Sequence, residues 1–220
     1  RSSRTAIVGR LENSDTILYF KAFLPRNRWD TMKSLFRGSR CQRAVLNKRL
    51  LRTAGFNVAN VVSWTEQNGI GVMLTQAIHG KNADLILGKE KKMMSQTEKI
   101  KHRALLNEIG KQTGKLHASG FGHGDLRLSN ILVRFDAEKP ILYFLDNERT
   151  KFYGHHVPNR MVVKNLTQIN MDSIQRLSLT DRLRIFKAYI KTAGLASSRE
   201  KQRNILGKVF QRTKKRLHKK

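Results

Sequence analysis

Acidic side chains are scarce in this chain of 220 residues. It has 16 Asp and Glu against 44 Lys and Arg, which gives a formal net charge of +28 at pH 7. Such a charge indicates an acidic partner, and nucleic acid, an anionic membrane surface and a phosphorylated substrate all meet that description. No carboxylate lies between Asp30 and Glu66, whereas the cations there are Lys33, Arg37, Arg40, Arg43, Lys48, Arg49 and Arg52. We expect this stretch to form a basic face that binds an anion.

Cysteines and long apolar runs are also missing. The single cysteine, Cys41, excludes an internal disulfide, fits a reducing cytoplasm and predicts a role in packing only. No apolar run reaches the length of a membrane span, and no signal peptide is visible. Because the sequence opens at Arg1 without a methionine, we expect further residues upstream.

The N-terminal part reads as a small β-rich lobe. The run Ile17–Phe23 alternates as a strand does, and it carries Lys21 between two phenylalanines. A lysine in this setting is suited to binding nucleotide phosphates, although a full glycine-rich phosphate loop is absent and only Gly9 stands near the first turn. Ala6–Val8 reads as an earlier strand, and strands near Val58–Trp64 and Ile70–Leu74 would complete a five-stranded lobe.

The chemistry concentrates in one later stretch, His123–Asn130, which is followed by a predicted hairpin and then Asp146. Phosphoryl transfer needs positioning and charge neutralisation more than covalent help. Asp125 would accept the proton of the attacking hydroxyl, and Asn130 and Asp146 would hold Mg²⁺ through oxygen atoms. Arg127 would offset charge on the transferred phosphoryl group.

The pattern His-Gly-Asp-Leu-x-x-x-Asn resembles the catalytic loop of protein kinases, and more closely that of kinase-fold enzymes acting on small molecules and sugars. Asp-Asn-Glu at 146–148 replaces Asp-Phe-Gly, which favours that small-molecule branch. Glu148 and Arg149 are expected to orient the metal loop or to contact substrate. The kinase helix that follows the lysine strand usually supplies a glutamate partner, but this one lacks a carboxylate, and Gln42 or Asn47 is the available neutral substitute.

The predicted fold is α+β and two-lobed, like a protein kinase. Residues 1–77 would form a small antiparallel nucleotide-binding lobe, and residues 78–220 a mainly helical catalytic lobe. Gln76 and Ala77 fall where the hinge of such a fold would read the adenine edge through the backbone. From about residue 198 the chain predicts a basic terminal helix that fits a membrane surface or an RNA-binding arm.

Four stretches together resemble the bacterial lipopolysaccharide core kinase family, which phosphorylates Kdo or heptose sugars. They are His123–Val133, Phe144–Arg149, Lys164–Leu166 and Asp181–Tyr189. The resemblance implies transfer from ATP with Mg²⁺ to a sugar hydroxyl at the cytoplasmic face of the inner membrane. Its partners would be a lipid-linked anionic sugar and, through the basic helix, the anionic membrane surface.

Two other classes stay open. A kinase-fold protein that acts on or binds RNA or protein would explain the charge of +28 equally well, although we favour nucleic acid less than the membrane. A catalytically silent, kinase-shaped binding protein would explain the missing helix glutamate. The identity of the acceptor that becomes labelled would distinguish the first class from a sugar kinase. The binding of Mg·ATP would distinguish the second class, the silent binding protein, from an active kinase.

Overall fold

The computed structural model describes residues 2–3, 6–13, 16–25, 38–89, 93–172, 176–195 and 198–217. Lys33, Arg37 and the last three residues of the expected terminal helix therefore lie outside the described residues. The chain divides into two compact units, one made of residues 1–79 with 144–149 and the other of residues 80–143 with 150–220. The first unit thus takes in Phe144–Arg149, which the sequence alone had assigned to the C-terminal lobe.

A five-stranded sheet forms most of the first unit. Its strands are β1 (Ser2–Ser3), β2 (Ala6–Asn13), β3 (Thr16–Phe23), β4 (Val61–Gln67) and β5 (Ile70–Gln76). They lie in the order β1-β2-β3-β5-β4, and each neighbouring pair is antiparallel. The β4–β5 hairpin turns at Asn68 and Gly69, which both have positive φ, the backbone region that glycine and asparagine adopt most readily. The five-stranded N-terminal sheet expected from the sequence is confirmed.

Helix α1 (Arg40–Thr53) packs on this sheet. It begins with a capping box, in which the Ser39 side chain accepts from the backbone N–H of Gln42 and the Gln42 side chain accepts from that of Ser39. Its small apolar residues form a core with Phe23 and Met73 from the strands. Cys41 is completely buried in that core, and burial raises the pKa of its thiol to about 11, so it packs as an unreactive residue.

Helices dominate the second unit. They are α2 (Ala83–Leu87), α3 (Gln96–Ala118), α4 (Asn159–Ile169), α5 (Leu179–Thr192) and α6 (Arg199–Leu217). Two small sheets accompany them, one of β6 (Lys81–Asn82), β8 (Ile131–Asp136) and β9 (Lys139–Phe144), the other of β7 (Phe121–Gly122) and β10 (Lys151–Phe152). The antiparallel N-terminal sheet and the mostly helical remainder confirm the α+β class.

Helices α3 and α5 lie unusually close together because glycines form the contact. A Cβ on Gly110 would lie 2.2 Å from the carbonyl oxygen of Ile185, and one on Gly114 would lie 2.0 Å from Thr192 Oγ1. Neither distance is sterically allowed, so the close approach requires glycine at both positions. This spacing brings His117 of α3 within hydrogen-bond reach of Tyr189 of α5.

The basic terminal helix packs on α4. Ile205 and Val209 of α6 are buried in a cluster with Val162, Val163 and Leu166 of α4. None of the helices in the described part of the chain has an apolar stretch that could span a bilayer.

Candidate functional site

Lys21 and Asp146, which the sequence assigned separately to phosphate and to metal, form an ion pair in the first unit. Lys21 Nζ lies 2.5 Å from Asp146 Oδ1, although 125 positions separate the two residues in the chain. Lys21 is held on β3, and its ammonium also lies 4.9 Å from the ring centroid of Phe23. Asp146 has a φ of 56°, a conformation that aspartate tolerates better than most residues and that is frequent at functional sites.

Glu148 supplies the carboxylate that helix α1 lacks. It is 7% exposed and accepts hydrogen bonds from Arg40 Nη2 at 2.9 and 3.2 Å, and it lies 3.9 Å from Lys21 Nζ. Arg40 stands at the start of α1 and is equally buried. An ionic connection between the helix and the strand lysine is therefore present, but its charges are reversed relative to the usual kinase arrangement. The helix carries the cation, and the segment after Asp146 carries the anion.

The two neutral substitutes considered from the sequence have other roles. Gln42 uses its side chain to cap α1. Asn47 donates from Nδ2 to the carbonyl oxygen of Asn147 at 2.8 Å, so it fixes the backbone between Asp146 and Glu148. The expectation that Glu148 orients the metal loop stays a prediction.

A second lysine, Lys48 on α1, lies close to the same cluster. Lys48 is 6% exposed, and burial together with the neighbouring Lys21 lowers its pKa to about 8, while Asp146 opposes the shift. It therefore stays mostly protonated at pH 7 and adds to the positive potential around Asp146. The sequence alone predicts Lys48 only as part of the basic face.

Gln76 and Ala77 already use their backbone N–H groups inside the first unit. The N–H of Gln76 donates to Asn60 at 2.9 Å, and that of Ala77 donates to Ile17 at 3.0 Å. Any backbone contact of these two residues with an adenine edge would therefore have to use carbonyl oxygens. Their role in nucleotide binding stays a prediction.

The catalytic loop of the second unit brings three predicted residues together. Asp125 Oδ1 accepts from Arg127 Nε at 3.0 Å, and the carbonyl oxygen of Asp125 accepts from Asn130 Nδ2 at 2.9 Å. The Asn130 bond leaves its carboxamide oxygen for another partner such as a cation. Arg127 is more than half exposed, so its terminal nitrogens are accessible. The roles assigned to these residues stay predictions, but their mutual contacts fit a preorganised loop.

Two buried amide side chains of α4 form hydrogen bonds to this loop. Gln168 Oε1 accepts from the N–H of Leu126 at 3.1 Å, while its Nε2 donates to Asp125 Oδ1 at 3.0 Å and to the carbonyl of Gly124 at 3.3 Å. Asn165 Oδ1 accepts from the N–H of His123 at 3.1 Å, and its Nδ2 donates to Gln168 Oε1. Because backbone N–H groups can only donate, these contacts fix the orientation of both amides.

The network continues to α3 and α5 through His117 and Tyr189. His117 Nε2 lies 3.1 Å from Asn165 Oδ1, and its Nδ1 lies 3.1 Å from the Tyr189 hydroxyl. Burial lowers the pKa of His117 to about 4, so the ring is neutral at pH 7. Since Asn165 Oδ1 is an acceptor, His117 carries its proton on Nε2 and accepts from Tyr189 at Nδ1. Burial raises the pKa of Tyr189, which keeps its hydroxyl protonated.

The predicted metal residues offer some of the oxygen ligands that Mg²⁺ needs, but not a complete set. The Asp146 carboxylate and the Asn130 carboxamide are the oxygen ligands that Mg²⁺ accepts. Among the described residues, no three His, Cys, Asp or Glu side chains converge as they would in a metal site built by protein alone. This agrees with the usual behaviour of Mg²⁺, which takes most ligands from substrate phosphates and water.

Sequence comparison identifies a family. Residues 31–189 match the lipopolysaccharide kinase (Kdo/WaaP) family. A curated relative, the KEOPS complex subunit Bud32 of Pyrococcus abyssi (strain GE5 / Orsay), is 34% identical over 110 residues, which are 49% of this chain and 44% of the relative. The chain thus matches less than half the length of that relative.

Structure comparison supports the fold. WaaP, solved in complex with acyl carrier protein, superposes with a TM-score of 0.71 at 17% identity, covering 98% of this chain and 86% of that one. The bifunctional kinase-methyltransferase WbdD gives a TM-score of 0.51 at 17% identity over 89% of this chain and 45% of its own. The protein-kinase-like fold expected from the catalytic loop is confirmed.

Proposed function

The chain belongs to the lipopolysaccharide kinase (Kdo/WaaP) family, and we propose that it transfers a phosphoryl group from ATP, with Mg²⁺, to a sugar hydroxyl of the lipopolysaccharide inner core, Kdo or heptose. The family is one of phosphotransferases that use an alcohol group as acceptor. The observation that carries the proposal is the 2.5 Å ion pair between Lys21 and Asp146. Lys21, assigned from sequence to the nucleotide phosphates, and Asp146, assigned to their Mg²⁺, prove to be neighbours.

Each residue has a role that its geometry supports. Lys21, kept in place by Asp146 and Glu148, binds nucleotide phosphate, and Asp146 and Asn130 are the proposed ligands of Mg²⁺. The cation, when bound, neutralises phosphate charge. Asp125 accepts the proton of the acceptor hydroxyl, and the exposed Arg127 binds the transferred group.

Two substitutions test these roles. Asp125→Asn is expected to lower transfer by about 10²- to 10⁴-fold with nucleotide binding retained, because it removes the general base. Asp146→Ala should lose metal-dependent nucleotide binding. Asp136 is an exposed carboxylate on the hairpin between Asp125 and Asp146. Asp136→Asn is therefore the matched control and should behave as the wild type. Equal activity in the Asp125→Asn variant would show that another group is the base.

Radiolabelled ATP identifies the acceptor. Dephosphorylated lipopolysaccharide core, RNA-bound protein and free sugars are offered in parallel with Mg²⁺. We expect label in the lipid-linked sugar, and the absence of label there would refute the preferred acceptor. If Mg·ATP neither binds nor raises the melting temperature, the protein is a silent binding protein of the kinase fold.

The similarity to Bud32 favours a second candidate, a kinase-fold protein that acts on or binds protein or RNA. Label in the RNA-bound protein, with none in the sugar, would establish it. The complex of WaaP with acyl carrier protein further suggests a protein partner, and co-purification with acyl carrier protein tests that partner directly.

Helix α6 is the proposed contact with the cytoplasmic face of the inner membrane. Its Leu206 and Phe210 are exposed at 36% and 59%, while Ile205 and Val209 face the core. Basic residues, including Lys214, Lys215 and Arg216, complete an amphipathic helix of the interfacial kind. Cosedimentation with anionic but not neutral vesicles is expected, and it should weaken in Phe210→Ser. Equal sedimentation with neutral vesicles would refute the electrostatic contact.

A further inference from the structure

We propose that Gln168 is the positioning residue of the Asp125 carboxylate, and that it assigns Oδ2 of Asp125 as the atom that takes the acceptor proton. The proposal rests on the proposed function, because it concerns the same transfer, and it adds a residue and an atom to it. It is based on the different contacts of the two carboxylate oxygens of Asp125.

The first step is that Oδ1 of Asp125 is fully engaged. It accepts from Gln168 Nε2 at 3.0 Å and from Arg127 Nε at 3.0 Å. Oδ2 has no hydrogen-bond partner among the residues that the structure describes, and the Asp125 side chain is 21% exposed. The carboxylate is therefore held by one oxygen and offers the other to a ligand.

The second step is that Gln168 cannot turn its amide around. The N–H of Leu126 donates to Oε1, as does Nδ2 of Asn165. With both donors on the Oε1 side, Nε2 must face Gly124 and Asp125. Gln168 is 6% exposed, so water does not compete for these bonds. The loop backbone and the carboxylate are thus fixed by one side chain.

The third step is chemical. The acceptor oxygen forms its bond to phosphorus, the bond from phosphorus to the leaving nucleoside diphosphate breaks, and the hydroxyl proton passes to Oδ2. Donation to Oδ1 fixes the orientation of the carboxylate and directs Oδ2 at the hydroxyl, which is a requirement of efficient general base catalysis. Without Gln168 the carboxylate would keep its bond to Arg127, whose side chain is more than half exposed, and would lose its buried partner.

The test compares Gln168→Met with a matched control on the same helix, Thr167→Val. Thr167 is also buried and donates to the carbonyl of Val163, so the control removes one buried hydrogen bond without touching the catalytic loop. Misplacing a reacting group costs up to about 100-fold, and we expect kcat of Gln168→Met to fall about 10- to 100-fold. KM for ATP should change less than about twofold, and Thr167→Val should keep the wild-type kcat.

A double-substitution cycle separates positioning from general damage. In the Asp125→Asn background, Gln168→Met should leave the residual rate nearly unchanged, because a residue that acts through Asp125 has nothing left to position. Multiplied losses in the double variant would overturn the proposal. If Gln168→Met does not fold, Gln168→Glu keeps the side-chain length and removes the donor, and wild-type kcat in that variant would also overturn it.

Hydrogen exchange gives a readout that does not depend on turnover. The amide of Leu126 should exchange about tenfold faster or more in Gln168→Met than in Thr167→Val, because its acceptor is lost. Faster exchange without any transfer by the wild type would refute the acceptor sugar and keep the positioning role. Robust transfer with equal exchange and equal kcat in the two variants would refute the positioning role alone.

Discussion

Around Lys21 the first unit gathers charged side chains, whereas around Asp125 the second unit relies mainly on uncharged hydrogen-bonding groups. Lys21 pairs with Asp146 at 2.5 Å and Arg40 pairs with Glu148 at 2.9 Å, and Arg40 and Glu148 are nearly inaccessible to water. The buried Lys48 adds a third cation whose pKa responds to Lys21 and Asp146. In the second unit a tyrosine, a neutral histidine and two amides lead to the loop.

The difference agrees with the roles proposed for the two groups. A nucleotide brings several negative charges, so a site that binds it benefits from cations whose counter-ions are close at hand. A general base has to keep its own charge and direction, and neutral dipoles fix direction without neutralising the carboxylate. Reversing a charge should therefore destabilise the group around Lys21 most. Protonation should destabilise the group around Asp125 most.

The largest effect is expected from Arg40→Glu. It places a carboxylate against the buried Glu148, and breaking a buried ion pair costs about 3–5 kcal/mol even without the added repulsion. Urea denaturation should show a loss at the upper end of that range or failure to fold. Combining Arg40→Glu with Glu148→Arg should recover part of the stability, and no recovery would show that the pair is not the stabilising contact.

Asn165→Leu should have the next largest effect. The asparagine accepts from His117 and from the backbone of His123 and donates to Gln168, so leucine leaves three buried groups without their partner. Each orphaned group costs about 1–3 kcal/mol, although the sum is less than additive. We expect a destabilisation of about 3 kcal/mol in urea, and a loss below about 1 kcal/mol would mean that the network rearranges.

Acid should weaken the second unit through His117. Its pKa of about 4 in the folded state lies below the ordinary value near 6.5, so the unfolded chain binds the proton more readily. The contribution is complete above pH 6.5 and is lost progressively as the pH falls toward 4. Melting temperatures between pH 8 and 4 should fall less steeply in His117→Gln than in the wild type, and parallel curves would contradict the assignment.

Tyr189→Phe should have the smallest effect of the four. It removes only the hydroxyl that donates to His117 Nδ1 and leaves the ring in place. The unpaired nitrogen costs about 1 kcal/mol, measured as a shift in the urea midpoint. Transfer activity should stay within about threefold of the wild type, since three further hydrogen bonds separate this hydroxyl from Asp125. A loss as large as that of Gln168→Met would mean that the network transmits strain along its whole length.

The sequence predicted those features that depend on short stretches of chain. The catalytic loop and the hairpin between Asp125 and Asp146 are local patterns, because turn residues and strand alternation determine them. The loop residues of 123–130 needed no knowledge of distant neighbours.

The partners of those residues could not be predicted because they come from far along the chain. Glu148 meets Arg40 across 108 positions, and no local pattern encodes that contact. The sequence held one usable signal for α4, since Asn165 and Gln168 stand among Val162, Val163 and Leu166 on an apolar face. Buried amides in such a setting need partners, and here those partners come from the catalytic loop.

The glycine contact between α3 and α5 limits how this protein can be engineered. Replacing glycine by alanine inside a helix ordinarily gains about 1 kcal/mol and is a routine choice for thermostable variants. At Gly110 and Gly114 a methyl group would instead push α5 outward and lengthen the bond from Tyr189 to His117. Two positions that a propensity scale would select for improvement should thus be left unchanged.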